Sequence, residues 1–98
     1  MSVYLISVCE ITNRNEGLME YAQKSAALIQ KFGGTYVVRG PAMEVWEGEM
    51  LNGKSAIITE FPDIESVRAF WNSEEYRLLK PKREGTGVYD IGVFGGAA

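Results

Sequence analysis

Two full charges lie inside segments that otherwise read as β-strands. Arg39 ends the apolar run "TYVVR", and Glu60 lies within "SAIITEF". The planar guanidinium of an arginine binds carboxylates and similar anions through parallel hydrogen bonds. A glutamate whose pKa is set by burial and by a neighbouring cation can act as a general base or as a hydrogen-bond acceptor. Arg39 and Glu60 are therefore the first candidates for catalysis, as an anion-binding group and a proton-transfer group.

The same two charges also have a structural interpretation. An ion pair between them would stabilise a strand end or a subunit interface and would have no catalytic role. A carboxylate with a shifted pKa is not always part of a functional site, because structural ion pairs shift the pKa as well. An unpaired charge on a covered surface is costly, so either interpretation requires partners for both groups. A ligand-binding or catalytic pair and a structural ion pair both remain open at this point.

Three further side chains are candidates for ligand binding. Trp71 and Tyr76 can line a pocket for a flat organic molecule, and Arg83 can serve as a second anion ligand. The alternatives are that Trp71 belongs to the helix-to-sheet core and that Tyr76 closes a small satellite cluster. Arg83, near Lys80, can also complement a helix dipole, an effect of about 0.3–1 kcal/mol. A buried Tyr76 hydroxyl would need a hydrogen-bond partner in any case.

The chain contains no histidine and a single cysteine, Cys9. The lack of histidine excludes Ser-His-Asp and Cys-His nucleophiles, histidine-ligated haem and histidine-based zinc sites. Acid–base chemistry would fall to Glu, Asp, Lys or Tyr. No metal-ligand spacing is present, so we expect no metal and no cofactor. Cys9 is expected to be a small buried hydrophobe, and a lone cysteine fits a reducing cytoplasm.

Length and charge narrow the class of protein. The 98 residues are expected to form one domain spanning 1–98. A net charge of -3 without a basic cluster argues against nucleic acid as a partner. No apolar stretch approaches the roughly 20 residues of a membrane helix, and the opening "MSVYLISVCEI" lacks the basic region of a signal peptide. We therefore expect a cytoplasmic protein without a membrane partner.

Periodicity and turn signals give the order β-α-β-β-α-β. The predicted elements are strand 3–11, helix 16–32, extended segments 35–40 and 43–49, strand 55–61, a helix capped by Asp63, a short helix capped by Asn72, and strand 88–94. This order predicts an α+β, ferredoxin-like fold whose antiparallel sheet carries both helices on one face. The other face, if apolar, must meet a partner, so a homodimer is expected.

The dipeptide Asn52-Gly53 predicts a two-residue hairpin turn. Counting outward from that turn puts Val45 opposite Glu60. One predicted face then carries three carboxylates, those of Glu47, Glu49 and Glu60. The other face is expected to pack under the helices and carries Trp46, Ile57, Thr59 and Phe61. The Gly-Pro step after Arg39 leaves the register of that arginine undefined.

Four strings together resemble the DUF1330 family of the dimeric α/β-barrel superfamily: "KFGGTYVVRG", "EVWEGE", "ITEFPDIESVRAFWNSEEYRLLKPKREG" and "YDIGVF". The positions that match the family are Gly33, Gly34, Arg39, Gly40, Glu60, Phe61, Pro62, Ser73, Glu75, Tyr76 and Arg83. Pro41 departs from the pattern, because a second glycine commonly follows the "RG" step there. The resemblance implies two ferredoxin-like protomers packed sheet to sheet, with pockets under the helices or at the dimer seam. It names no activity, although the wider superfamily includes cofactor-free monooxygenases, isomerases and stress-related proteins.

Two functional hypotheses follow. In the first, the protein binds a small anionic organic ligand and is a cofactor-free enzyme acting on an organic acid or carbonyl compound. Arg39 would then orient the anion, Glu60 would move the proton, and Tyr76 would help to bind the ligand. In the second, the protein is a non-catalytic homodimeric module, structural or stress-related, in which Arg39 and Glu60 form an ion pair. The sequence does not decide whether the protein is an enzyme.

Overall fold

Eight segments of regular structure build an antiparallel sheet with helices against one of its faces. The computed structural model describes residues 1–97. In chain order the elements are β1 (Val3–Ile11), α1 (Glu16–Lys31), β2 (Thr35–Pro41), β3 (Ser55–Phe61), α2 (Ile64–Trp71), α3 (Glu74–Leu79), a 3-10 turn (Lys80–Arg83) and β4 (Gly87–Gly95). The strand order is β2-β3-β1-β4 with every neighbouring pair antiparallel. The predicted α+β, ferredoxin-like fold is thus confirmed.

The helix face of the sheet carries the core. Val3, Leu5, Thr59 and Phe61 alternate along β1 and β3 and are all buried, with Phe61 completely inaccessible. The buried core cluster contains Val3, Leu5, Leu28, Ile29, Phe61, Val67, Phe70 and Tyr76. The Phe70 ring centroid lies 5.9 Å from that of Phe61 and 4.7 Å from that of Tyr76. These aromatic contacts fix α2 and α3 against the sheet, since large rings bury much apolar area and prefer tilted packing.

Short polar side chains begin each helix. The Asn15 and Asp63 side chains accept hydrogen bonds from the backbone at the starts of α1 and α2, at 2.9 Å and 2.7 Å. The predicted cap at Asn72 is wrong by one residue, because Ser73 accepts the backbone N–H of Tyr76 at 3.1 Å instead. The backbone N–H of Asn72 still closes α2 through the carbonyl of Arg68, at 3.0 Å, so α3 can begin only after it.

The connection between β2 and β3 differs most from the sequence prediction. Residues 42–54 form an irregular loop, and the segment "MEVWEGE" is not a strand. The strand β2 continues instead to Pro41, which pairs with Ser55, while Arg39 pairs with Ile57. The Asn52-Gly53 step does form a turn, closed by Lys54 N–H to the Leu51 carbonyl at 3.1 Å, but only inside the loop. A turn signal is local, and a run with three glutamates and a glycine is poorly suited to a strand.

The predicted hairpin register is therefore wrong. Glu60 pairs with Tyr4 on one side and Thr35 on the other, and not with Val45. Glu47 and Glu49 lie in the loop and do not share a sheet face with Glu60. Trp46, expected under the helices, is 88% exposed. The positions predicted for Thr59 and Phe61 are correct, because both are buried against the helices.

The open face of the sheet has no helix on it. By strand alternation its apolar and aromatic side chains are those of Tyr4, Ile6, Val8, Val38, Ala56, Ile58, Val88 and Phe94, and Glu10, Glu60 and Asp90 lie on the same face. Val38, Val88 and Phe94 on this face are 45%, 60% and 57% exposed. Exposed apolar side chains grouped on one face of a sheet favour an interaction surface. Within residues 1–97, no helix is long and apolar enough to cross a membrane.

Candidate functional site

A recess between α1 and the helix face of the sheet forms the candidate site. It consists of an outer cavity of about 400 Å³ and an adjoining inner cavity of about 70 Å³. Five residues line both cavities: Tyr21, Ser25, Tyr36, Ile57 and Tyr89. The outer volume lies within the usual range of small-ligand pockets, and the walls combine apolar surface with a few hydroxyl groups.

Two arginines lie on the wall of the outer cavity. Arg39 comes from β2 and Arg14 from the loop that follows β1, and both are exposed. The Arg39 guanidinium carbon lies 4.9 Å from the centroid of the Tyr36 ring, a cation–π contact that orients the group. Among residues 1–97 neither arginine forms a salt bridge. Neither cavity wall contains an aspartate or a glutamate, so the recess carries a positive potential.

Paired phenols line the inner cavity. The hydroxyls of Tyr21, on α1, and Tyr76, on α3, are 2.8 Å apart and hydrogen-bonded. Tyr76 is 2% exposed, so its hydroxyl does have the partner that burial requires. Burial, followed by the neighbouring Tyr76, raises the pKa of Tyr21. Both effects keep the Tyr21 phenol protonated at neutral pH, as a hydrogen-bond donor.

Arg83 lies behind these phenols. Its guanidinium carbon is 4.6 Å from the ring centroid of Tyr89 and 5.6 Å from that of Tyr21. Its buried Nε atom has no hydrogen-bond partner among residues 1–97. Thr86, which is fully buried, donates its hydroxyl to the carbonyl of Arg83 and is hydrogen-bonded to the Tyr89 hydroxyl at 2.7 Å. Arg83 is the last residue of the 3-10 turn, so it does stand at the helix end that the simpler interpretation predicts. Its guanidinium is half-buried and lies among aromatic rings.

Trp71 is placed on the far side of Tyr76. The two ring centroids are 5.0 Å apart, and the Lys80 ammonium lies 4.6 Å from the centroid of the indole. Trp71 lines a surface groove of about 390 Å³ together with Tyr76 and Arg83, and it does not line the recess under α1. Its contact with the recess is indirect, because it packs against the outer side of Tyr76.

Glu60 lies on the open face, away from the recess. The Tyr4 hydroxyl donates a hydrogen bond to its carboxylate at 3.3 Å. The Glu60 charge is the leading cause of the raised pKa of Tyr4, because it disfavours a second negative charge beside it. Arg39 shares the opposite face with Ile57, its strand partner. The structure therefore does not bring Arg39 and Glu60 together within one chain, and the hypothesis of an ion pair inside the protomer is wrong.

Sequence reasoning missed several residues of the recess: Arg14, Tyr21, Ser25, Tyr36 and Tyr89. Tyr21 borders the apolar stripe of α1, and Tyr89 alternates with exposed neighbours along β4. Those periodicities are the only sequence signals for them, and they do not reveal that both side chains face one cavity. Cys9 is buried as predicted, and burial raises the pKa of its thiol. Within residues 1–97, no cluster of three or more His, Cys, Asp or Glu side chains could hold a metal ion.

The fold and the recess define a ferredoxin-like α+β protein with a ligand-sized cavity under its first helix. A family model described as "Domain of unknown function (DUF1330)" matches residues 2–97. The chain therefore belongs to this family, which confirms the resemblance noted from its sequence strings. No match to the chain is found among curated proteins.

Solved structures share the fold at low sequence identity. A protein of unknown function from Rhodopseudomonas palustris is 14% identical, with a TM-score of 0.82 over 99% of this chain and 83% of its own. SnoaB, a cofactor-independent oxygenase from Streptomyces nogalater, is 11% identical, with a TM-score of 0.70 over 99% and 94%. A dimeric ferredoxin-like protein of unknown function from Jannaschia is 13% identical, with a TM-score of 0.65 over 98% and 100%. At such identities the likeness extends to the fold alone.

Proposed function

We propose that the recess under α1 binds a small, flat organic anion. The observation that carries this proposal is the pair of arginines, Arg14 and Arg39, on a cavity wall that has no carboxylate. An arginine that lacks an internal partner can give its paired N–H groups to a carboxylate of the ligand. The rings of Tyr21, Tyr36 and Tyr89 supply flat surfaces on which an aromatic or conjugated ligand can pack.

The enzymatic form of this proposal is a cofactor-free reaction on a small organic acid or carbonyl compound. The name of SnoaB, a cofactor-independent oxygenase with the same fold, supports such a reaction class for the recess. Arg39 keeps the role of orienting the anion, and Tyr76 and Arg83 keep roles at its inner end. Glu60 faces away from this recess, so a catalytic Glu60 would require a second site on the open face.

Binding of benzoate measured by isothermal titration calorimetry tests the proposal. Arg39→Gln is expected to weaken binding about tenfold or more, because a hydrogen bond to a charged group contributes about 1.5–3 kcal/mol. The matched control is Arg77→Gln, which removes an exposed arginine that pairs with Glu74 on α3. Equal affinities for the wild type and Arg39→Gln would exclude Arg39 from the site, and absence of benzoate binding would contradict the proposal.

The second candidate function is a homodimeric module assembled through the open face. The exposed side chains of Val38, Val88 and Phe94 favour this dimer, because an apolar surface that no partner covers promotes aggregation. The dimeric ferredoxin-like protein from Jannaschia also supports a dimer, because it shares the fold of this chain. In this form the Glu60–Tyr4 pair lies in the interface and serves assembly, while the recess plays no catalytic role.

A further inference from the structure

We infer that the inner end of the recess is an oxyanion site, in which the Tyr21–Tyr76 phenol pair, backed by Arg83, hydrogen-bonds a phenolate or enolate oxygen of the ligand. This inference rests on the proposed function, because the same ligand would place its other end beside Arg39. It specifies the ligand class further: an organic acid that carries a second, ionisable oxygen at the far end of a flat ring or conjugated chain.

The first support is a count of phenolic protons. Tyr21 and Tyr76 together carry two hydroxyl protons, and their mutual hydrogen bond uses one of them. Among residues 1–97 neither hydroxyl has an acceptor other than its partner in the pair, so the second proton has no protein acceptor. Both residues line the inner cavity. A buried donor without an acceptor is costly, and an oxygen of a ligand in this cavity would satisfy it.

Tyr89, another phenol of the inner cavity, has no free hydroxyl proton. Thr86 donates its only hydroxyl proton to the carbonyl of Arg83, so it must accept the hydrogen bond that it shares with Tyr89. Tyr89 is therefore the donor in that bond and has no proton left for a ligand. The two kinds of phenol lie on the wall of the same cavity, one with a free donor and one without. Between Tyr89 and the Tyr21–Tyr76 pair, it is therefore the pair that has a proton to donate.

Charge explains why the bound oxygen should be anionic. The Arg83 guanidinium stays protonated and lies against the rings of Tyr21 and Tyr89. Its buried Nε–H is unpaired and its guanidinium forms no salt bridge among residues 1–97, so no carboxylate neutralises its charge. No carboxylate lines the inner cavity. A phenolic donor in front of a half-buried cation stabilises a developing negative charge, which is the arrangement of an oxyanion hole.

The size of the inner cavity limits what enters it. About 70 Å³ is larger than the volume a single water needs and much smaller than the outer cavity. It therefore fits one oxygen-bearing end of a ligand, while the ring or chain lies in the outer cavity between Tyr36 and Ile57. The acidic group at the other end then reaches the two arginines.

The test uses 4-nitrophenol, whose visible absorbance reports its ionisation, alongside benzoate. On the wild type, the bound dye is expected to have a lower pKa than the free dye, with the phenolate bound about tenfold or more tightly than the neutral phenol. The double variant Tyr21→Phe/Tyr76→Phe is expected to lose this preference. It should still fold, because replacing both partners of a hydrogen bond by apolar groups of the same shape is close to neutral. The control is Tyr4→Phe, which removes a phenol on the open face, outside both cavities, and is expected to retain the preference within about twofold.

The titration with benzoate distinguishes failure of the oxyanion site from failure of the proposed function. If benzoate binds and depends on Arg39, but the dye fails to bind or its pKa is not lowered, the oxyanion site is wrong and the proposed function stands. The same holds if the double variant lowers the dye pKa as much as the wild type does. If neither probe binds, the proposed function fails and the oxyanion site fails with it. A lowered dye pKa in the wild type and in Tyr4→Phe, but not in the double variant, supports the site.

Discussion

Arg39 and Glu60 lie on adjacent antiparallel strands but on opposite faces of one sheet. Arg39 pairs with Ile57 and rests over the ring of Tyr36, beside the recess. Glu60 is three residues further along β3 and meets Tyr4 on the open face. Because side chains of a strand alternate between faces, the two side chains project from opposite sides of the sheet. The two charges therefore lie on different surfaces of the sheet.

Glu60→Gln is expected to leave benzoate affinity within about twofold of the wild type, because a surface substitution away from the site has little effect. The carboxylate lies on the far side of the sheet from Arg39, and its known partner is Tyr4. Calorimetric titration of the purified variant measures this directly, with Arg39→Gln as the positive comparison. A loss of affinity as large as that of Arg39→Gln would mean that the ligand contacts the open face.

Self-association is expected to depend on the open face. Phe94→Lys places a charge on a side chain that is 57% exposed there, and it should convert a dimer to monomers, because a buried unpaired charge is costly. The control is Leu78→Lys on α3, where the side chain is 62% exposed but lies on the helix side. Sedimentation velocity at several concentrations distinguishes the two states. A monomeric wild type would refute the homodimer, and equal behaviour of both variants would exclude the open face as the interface.

Alkaline pH is expected to destabilise the fold through Tyr21. Its pKa is raised in the folded protein, chiefly by burial and then by Tyr76, so the folded state favours the neutral phenol. The stability that this phenol contributes is complete below the unfolded pKa of about 10 and is lost as the pH rises above it. Tyr21→Phe should therefore show a flatter dependence of the urea midpoint on pH above about 10. An unchanged slope in this variant would show that Tyr21 ionises as freely in the folded state as in the unfolded one.

The sequence predicted the order of elements, because periodicity and caps are local signals. It also predicted that a buried Tyr76 would need a partner, but it could not name Tyr21, which lies 55 residues away and meets it only after α1 and α3 pack together. The same limit applies to Arg14 and Tyr89, which face one recess although their strands and loops are distant in sequence. Such contacts are products of packing, and no local pattern encodes them.

The main error came from a strong local signal in a long connection. Asn52-Gly53 forms a turn, but the hydrogen-bonded ladder between β2 and β3 ends at Pro41 and Ser55. Counting from the turn therefore misplaced Glu60 relative to the three loop glutamates. The strand β2 runs one residue beyond the predicted segment 35–40 and includes Pro41, because β2 lies at the edge of the sheet. Edge strands tolerate proline, since an outward N–H is not needed for pairing.

Gly34 is expected to resist substitution because of close packing. A Cβ atom at this position would lie 2.7 Å from Ile29 Cγ2 and 2.8 Å from the ring of Phe61. Both neighbours belong to the buried core and cannot move freely, so Gly34→Ala should destabilise the protein by about 1–3 kcal/mol. Gly95→Ala is the control, since a Cβ there meets nothing within 4 Å. Urea denaturation of both variants measures the difference, and equal stabilities would contradict the tight approach of the α1–β2 turn to the core.

The sequence prediction and the structure differ on which residue caps the N-terminus of α3. Ser73 accepts the Tyr76 backbone N–H at 3.1 Å, so Ser73→Ala should cost about 1 kcal/mol, the usual effect of losing a helix cap. Asn72→Ala removes only an exposed side-chain bond to the Arg68 carbonyl and should cost a few tenths of a kcal/mol. Because this cap holds Tyr76 in α3, Ser73→Ala should also weaken the dye pKa shift described above, while Asn72→Ala should not. A larger loss of stability in Asn72→Ala than in Ser73→Ala would support Asn72 as the cap, as the sequence predicted.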